Sequence, residues 1–273
     1  MRLCSALGLF FGLATRSPPA SAFHTADQPI TDDTAYTLPK HQVRLGIWKA
    51  EYGIFSPLTA GSYVWPWFFA VSNLQAKLRF YQGEAFAISA SAAFFHFDTK
   101  SLRKLDSSQD HATVDVVPYD LLMSYRFNDR YTLSLDSVFT NVRVDGSLRR
   151  SDFSSAGEGA VDNYQLSTTF EWRYTRVTAF VANYRYLVFQ RSAANLNYEA
   201  HPDAYTTVVI RGNAQTDALD FRGAASLTLS SVMSWQYFNL RLGVGYGHYN
   251  VPGVNFVLGK PSWFPDLDAF WLF

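Results

Sequence analysis

The stretch Tyr119-Asp120-Leu121-Leu122-Met123-Ser124-Tyr125-Arg126-Phe127, the turn Asn128-Asp129-Arg130 and the run that starts at Tyr131-Thr132-Leu133-Ser134-Leu135-Asp136 decide the fold. Tyr119, Leu121, Met123, Tyr125 and Phe127 alternate with Asp120, Leu122, Ser124 and Arg126. After the turn, Tyr131, Leu133, Leu135 and Phe139 alternate with Thr132, Ser134, Asp136 and Thr140. A period of two is the signature of a strand with one apolar and one polar face. These runs are longer than the usual soluble strand of about 5–6 residues. They meet the roughly 9–11 residues that a tilted strand needs to cross a bilayer.

The same alternation extends in both directions. Val43, Leu45 and Ile47 alternate with Gln42, Arg44 and Gly46, and Leu74, Ala76, Leu78 and Phe80 with Gln75, Lys77, Arg79 and Tyr81. Tyr164, Leu166, Phe170, Trp172 and Tyr174 face away from Gln165, Ser167, Thr169, Glu171 and Arg173. Phe238, Leu240, Leu242, Val244 and Tyr246 face away from Asn239, Arg241, Gly243, Gly245 and Gly247. Tyr and Trp recur at the ends of the apolar faces, where a membrane strand meets the headgroups. The pattern predicts an all-β, transmembrane, antiparallel up-and-down barrel of about 12 strands (10–14) over 41–273.

The expected strands are 42–49, 58–66, 73–81, 84–97, 113–127, 130–144, 160–174, 177–190, 204–214, 222–235, 238–250 and 266–273. Short turns lie at Asn128-Asp129-Arg130 and Thr175-Arg176, and long polar loops at Thr99 to Ala112, Asp145 to Gly159 and Arg191 to Asp203. This inequality is usual for outer-membrane barrels. The parity of these segments conflicts with both chain ends lying on the short-turn side, which points to a miscount within 34–66 or 204–236. The rival fold is a soluble periplasmic β-sandwich, which would have to bury its outward aromatics between two sheets.

Composition narrows the class. The 273 residues carry 23 basic and 23 acidic side chains, a balance that disfavours nucleic acid as a partner. Aromatics make up 17% of the chain, as two interfacial girdles require, and mean hydropathy is −0.07, too low for a helical membrane protein. The start reads as a secretory leader over 1–22: Arg2, an apolar core from Leu3 to Ala14, and Ala20-Ser21-Ala22 as the cleavage site. The single cysteine, Cys4, falls inside that leader, so the mature chain has no thiol for a disulfide or metal site. Phe23 to Lys40, with Pro29 and Pro39, is expected to form an N-terminal periplasmic arm (23–40).

The run Asp266-Leu267-Asp268-Ala269-Phe270-Trp271-Leu272-Phe273 places Leu267, Ala269, Trp271 and Phe273 on one face. In a soluble protein this would be an exposed, aggregation-prone edge. It resembles the C-terminal assembly signal of Gram-negative outer-membrane β-barrel proteins, and the chain is similar to uncharacterised members of that class. The resemblance implies an outer-membrane location, lipid around the wall, and recognition of Leu267, Ala269, Trp271 and Phe273 by the barrel-assembly machinery. Ala269 is smaller than the pattern prefers. Oligomeric state is not legible.

Ten charges share the polar faces: Arg44, Lys77, Arg79, Asp120, Arg126, Asp136, Glu171, Arg173, Arg241 and Asp268. Six are positive, which suits a constriction for small polar or slightly anionic solutes, while mixed signs equally suit a self-paired interior. The six histidines show no H-x-x-x-H spacing, so no metal or other cofactor is expected. His96 shares the outward parity of Ile88 and Phe94, as an interfacial hydrolase would require, but no serine sits in G-x-S-x-G and no catalytic residue is assigned. Gly243, Gly245 and Gly247 lie within a strand and make room for neighbours rather than for a phosphate. Val251 to Pro265, with three prolines and Phe256, Trp263 and Phe264, is expected as a loop at the mouth or in the lumen. The reading is a channel or transporter for small polar solutes and not an enzyme. The alternatives are a closed structural or adhesion barrel acting through its loops, and an outer-membrane lipid hydrolase or acyltransferase.

Overall fold

A computed structural model describes residue 24 and residues 30–98, 111–149, 153–203, 206–214 and 223–273. The leader expected over 1–22 lies outside the described residues, as does 99–110 of the first long loop. Strands β1 (Val43–Gly46), β2 (Lys49–Phe55), β3 (Leu58–Tyr63), β4 (Ser72–Gln82), β5 (Phe86–Asp98) and β6 (His111–Arg126) make one side of the wall. Strands β7 (Tyr131–Arg149), β8 (Phe153–Arg173), β9 (Thr178–Asp203), β10 (Thr206–Ala214), β11 (Ala225–Ser234), β12 (Phe238–Val251) and β13 (Phe256–Leu272) complete it.

The wall of the barrel closes on itself. β13 pairs with β1 through Arg44↔Leu272 and Leu45↔Trp271, and every neighbouring pair around the ring is antiparallel. β9 is long enough to hold two partners on one flank: Thr178–Tyr186 pairs with β11, and Ala194–Asp203 pairs with β10. β10 and β11 therefore stack in line, and the wall is a closed barrel of 12 strands.

That arrangement resolves the parity conflict through two compensating differences. The expected strand 42–49 is two strands, β1 and β2, folded on each other at Ile47-Trp48 with Leu45 opposite Ala50. The expected strand 204–214 is β10, an extension above the wall that adds no staves. As a result, Val43, Phe273 and the connections at 56–57, 83–85, 127–130, 174–177 and 235–237 share one end, the turn end. Asp145–Arg149, Phe153–Gly159 and Arg191–Asp203 are strand rather than loop, because β7, β8 and β9 carry their ladders through them. The apolar alternation fades there while the strand continues. The expected loop 251–265 is likewise mostly strand: β13 starts at Phe256, which leaves a short turn at 252–255.

The outward face carries Leu74, Leu78, Phe80, Leu121, Leu135, Leu166, Leu229, Leu242 and Leu267, all exposed. So large a continuous apolar surface is unusual for a protein bathed in water. Its lower edge is a ring of contacting aromatics: Tyr125 on Phe127, Tyr131 on Trp172, Trp172 on Phe180, and Phe238 on Trp271. Tyr119 and the Tyr246–Trp263 pair mark the upper edge. From Phe127 to Tyr119 a strand rising about 3.3 Å per residue at a ~40° tilt climbs roughly 20 Å, near the height of a membrane band.

Candidate functional site

The inner face bears the charges, and the N-terminal segment lies among them. Ile30, Thr31, Thr34, Ala35, Tyr36, Thr37 and Leu38 are all buried within the barrel, so over 30–38 the expected periplasmic arm occupies the lumen. Ile30 packs with Ala179, Val181 and Val232; Ala35 and Tyr36 with Ala87 and Leu122; Leu38 with Phe270 and Leu272. The wall thus offers apolar inward residues near the turn end, where the polar-in rule would not place them, and the arm covers them.

Polar contacts fix the rest of the arm. Thr31 Oγ1 donates to Glu171 Oε1 (3.0 Å), the Ala35 amide to Ser124 Oγ (2.8 Å) and the Leu38 amide to Thr59 Oγ1 (2.9 Å). Lys77 Nζ donates to the carbonyl oxygens of Asp32 (2.9 Å) and Thr34 (2.7 Å). Asp32 pairs with Arg44 and, at 3.3 Å, with Lys49, while Asp33 accepts from Asn183 (3.3 Å) and lies 3.9 Å from Arg185. Ordering 30–38 costs roughly 1–2 kcal/mol per residue. Burying Ile30, Tyr36 and Leu38 returns only about 1.5–3 kcal/mol each. The hydrogen bonds and ion pairs, at roughly 0.5–1.5 kcal/mol apiece, therefore decide whether the arm stays.

Arg44, 4% exposed, is the hub. Its guanidinium reaches Asp32, Glu51 Oε2 (3.3 Å) and Asp268 Oδ2 (3.0 Å), and it lies 4.1 Å from the Phe270 ring centroid. Glu171, fully buried, takes Arg173 Nη2 at 3.0 Å, and Arg173 Nη1 donates to Thr132 Oγ1 (2.8 Å). Nearer the turn end, the His24 amide donates to the Arg176 carbonyl, and its Nε2 lies 2.6 Å from Ser234 Oγ. Burial, helped by the Arg173 charge, lowers the His24 pKa to about 4.

Above the arm the lumen is not filled. A cavity of about 210 Å³ has Asp32 and Asp33 as its floor and is walled by Lys49, Glu51, Lys77, Asp120, Asp136, Arg185, Arg241 and Asp266. Its cover is the 252–255 turn. Trp65 Nε1 donates to the Pro252 carbonyl (3.2 Å) from one side, and Gln165 Nε2 to the Asn255 carbonyl (2.5 Å) from the other. Gly253, at φ +86°, puts its Cα where a Cβ would lie 2.6 Å from the Tyr63 ring, so only glycine lets the turn descend so far. Tyr63, Ala93, Phe95, Val116 and Val142 form an apolar collar at this level, with Val254 packed on it. Gly245 leaves the space taken by Phe264, whose ring would lie 2.2 Å from a Cβ there.

Of the ten charges expected in a constriction, eight lie in the lumen. Arg79 and Arg126 have the right parity but the wrong height. They sit beside the short turns, donating to the carbonyls of Ser56 (3.1 Å) and Glu84 (2.5 Å), because each lies close to the turn end of its strand. Sequence reasoning missed Asp32 and Asp33, assigned to an external arm, and Lys49 and Glu51, whose alternation on β2 was hidden by reading 42–49 as one strand. Outside the barrel, His96 Nδ1 lies 2.6 Å from Asp115 Oδ1 and the ring stacks on Phe94; no hydroxyl among the described residues bonds it. Leu267 and Trp271 face outward on β13, where β12 pairs with them.

No family model and no curated protein matches the sequence. The fold is a closed antiparallel β-barrel of 12 strands. Solved outer-membrane barrels resemble it weakly. The Pseudomonas putida toluene transporter TodX is 11% identical over 92% of this chain and 74% of its own, with a TM-score of 0.45. The unliganded ferric citrate transporter FecA is 9% identical over 85% of this chain and 41% of its own, TM-score 0.43. The Escherichia coli outer-membrane protease OmpT is 8% identical over 85% and 89%, TM-score 0.36. This chain spans about two fifths of FecA and three quarters of TodX. At these identities the likeness is one of fold alone.

Proposed function

We propose that the chain is an outer-membrane barrel that conducts small polar solutes and is closed at rest by its own N-terminal segment. The observation that carries this reading is the charged cavity of about 210 Å³ between the arm and the 252–255 turn. A barrel serving only as a scaffold gains by filling its lumen, because close packing and paired charges stabilise and empty charged space does not. Here the filling stops halfway, and both closures are short segments held by a few polar contacts. Export through the leader, lipid around the apolar belt and insertion through the Leu267, Ala269, Trp271 and Phe273 face belong to the same proposal.

A reversible staple tests it. Ala35→Cys with Ser124→Cys sets two thiols where an amide-to-hydroxyl bond now joins arm and wall. In proteoliposomes, a low rate of erythritol entry is expected from the wild type, none above bare lipid from the oxidised double variant, and recovery on reduction. Entry equal to bare lipid in every state, from barrels folded by heat-modifiable mobility, contradicts a transport role.

A further inference from the structure

The ion pairs around the chamber use up its cations. Arg44 is shared among Asp32, Glu51 and Asp268; Lys49 reaches Asp32; Arg185 faces Asp33; Arg241 Nη2 lies 3.2 Å from Asp266 Oδ1; and the Lys77 ammonium is turned onto arm carbonyls. Two carboxylates are left over, Asp120 and Asp136. Asp120 has only the Ser91 hydroxyl, and Asp136, 7% exposed, has no hydrogen-bond or ion-pair partner among the described residues. Each has a buried Oδ1 with nothing to accept from, and both line the cavity.

The backbone sets them side by side. Asp120 on β6 stands opposite Val138, and Asp136 on β7 opposite Leu122, so the two acids are diagonal neighbours, roughly 7–8 Å apart at the backbone. Leu122 and Val138, both buried, fill the other corners of that diagonal. Two carboxyl groups without a cationic partner, side by side on the wall of a charged chamber, offer a binding site for a cation.

We propose that Asp120 and Asp136 bind the ammonium group of a small organic cation, whose remainder lies in the chamber. A bare metal ion does not fit, because no group of three or more ligating side chains converges among the described residues. An anion meets two carboxylates at the same place. The chamber, with the liquid volume of roughly seven waters, suits a molecule of diamine size. This deepens the transport reading and rests on it for the route of the solute, but not for the binding itself.

The test is calorimetric titration of butane-1,4-diamine into the full-length barrel in detergent, with the probe also present during refolding so that the closures cannot exclude it. Butane-1,4-diol and succinate serve as the uncharged and anionic controls. Saturable binding of the diamine is expected, at least tenfold tighter than of either control, and weakened at least tenfold in Asp136→Asn and in Asp120→Asn. Asp136→Asn is not expected to lower the heat-unfolding temperature, since its buried Oδ1 has no partner to lose; a residue with a structural role would lower it. Equal affinity for diamine and diol, no diamine binding, or unchanged affinity in both variants overturns the proposal. Transport through the staple assay with no diamine binding would remove this site and leave the conduit.

Discussion

The lower lumen and the chamber above it are built from the same strands and hold opposite solutions to the same problem. On β6 and β7, Ser124 and Ser134 meet at 2.7 Å near the turn end, and Ser124 also receives the Ala35 amide. Four residues further up β6, Asp120 stands over open space and shares only a serine hydroxyl. Below, the arm and neighbouring side chains engage Arg44, Lys77, Ser124 and Glu171; above, Asp120 and Asp136 are left without a cation and volume is unfilled. The contrast teaches that a lumen charge has no fixed meaning. Its height in the barrel decides whether it secures the plug, as Arg44 and Lys77 do, or is left available, as Asp136 is.

The largest effect is expected from Arg44→Ala. It takes a partner from Asp32, Glu51 and Asp268 at once, and breaking a buried ion pair costs roughly 3–5 kcal/mol. A clear fall in the heat-modification temperature on gels, with protease cleavage of the arm, is the expected outcome; an unchanged barrel would mean the lower lumen does not depend on its hub. Lys77→Met comes next. It deletes donors to the arm but leaves the wall ladders intact, at about 1–3 kcal/mol. Solute entry should rise several-fold while the unfolding temperature moves little, which separates holding the arm from holding the barrel.

Gly253→Ala probes the upper closure. A side chain at φ +86° carries roughly 1–3 kcal/mol of strain and meets the Tyr63 ring. The cover should lift, so erythritol entry increases while the arm stays protease-protected. The smallest effect concerns pH. The His24 pKa is lowered from 6.5 to about 4 by burial and Arg173, so the neutral ring is the form that the docked arm accepts. The released arm therefore binds the extra proton between these values. Arm protection should be full above about pH 6.5 and decline as pH falls toward 4, and His24→Asn should flatten the profile. Protection that increases on acidification would contradict this placement of His24.

Much of the wall was legible because its two faces differ: Leu121 and Leu135 point outward, and Ser124 and Asp136 point into the lumen. Along Asp145–Arg149, Phe153–Gly159 and Arg191–Asp203 the sequence carries no such alternation, and strands read as loops. The break at Ile47-Trp48 escaped notice because Ile47 continues the parity of Val43 and Leu45 across the bend. The arm was the larger gap. Asp32, Asp33 and the threonines around them resemble an exposed linker, and only the apolar inward residues Leu122 and Val181 hinted that something had to cover them. Parity separates the two faces of a strand but carries no information about height, which is why Arg79 and Arg126 were grouped with Asp136.

The most direct test of the account is single-channel recording in planar bilayers of the full-length barrel beside a variant lacking residues 30–38. The account predicts a full-length protein that is closed for most of the record with brief openings, and a deletion variant that conducts continuously. Equal, steady conductance from both would show that the arm is no plug, and silence from a folded deletion variant would show that the chamber leads nowhere.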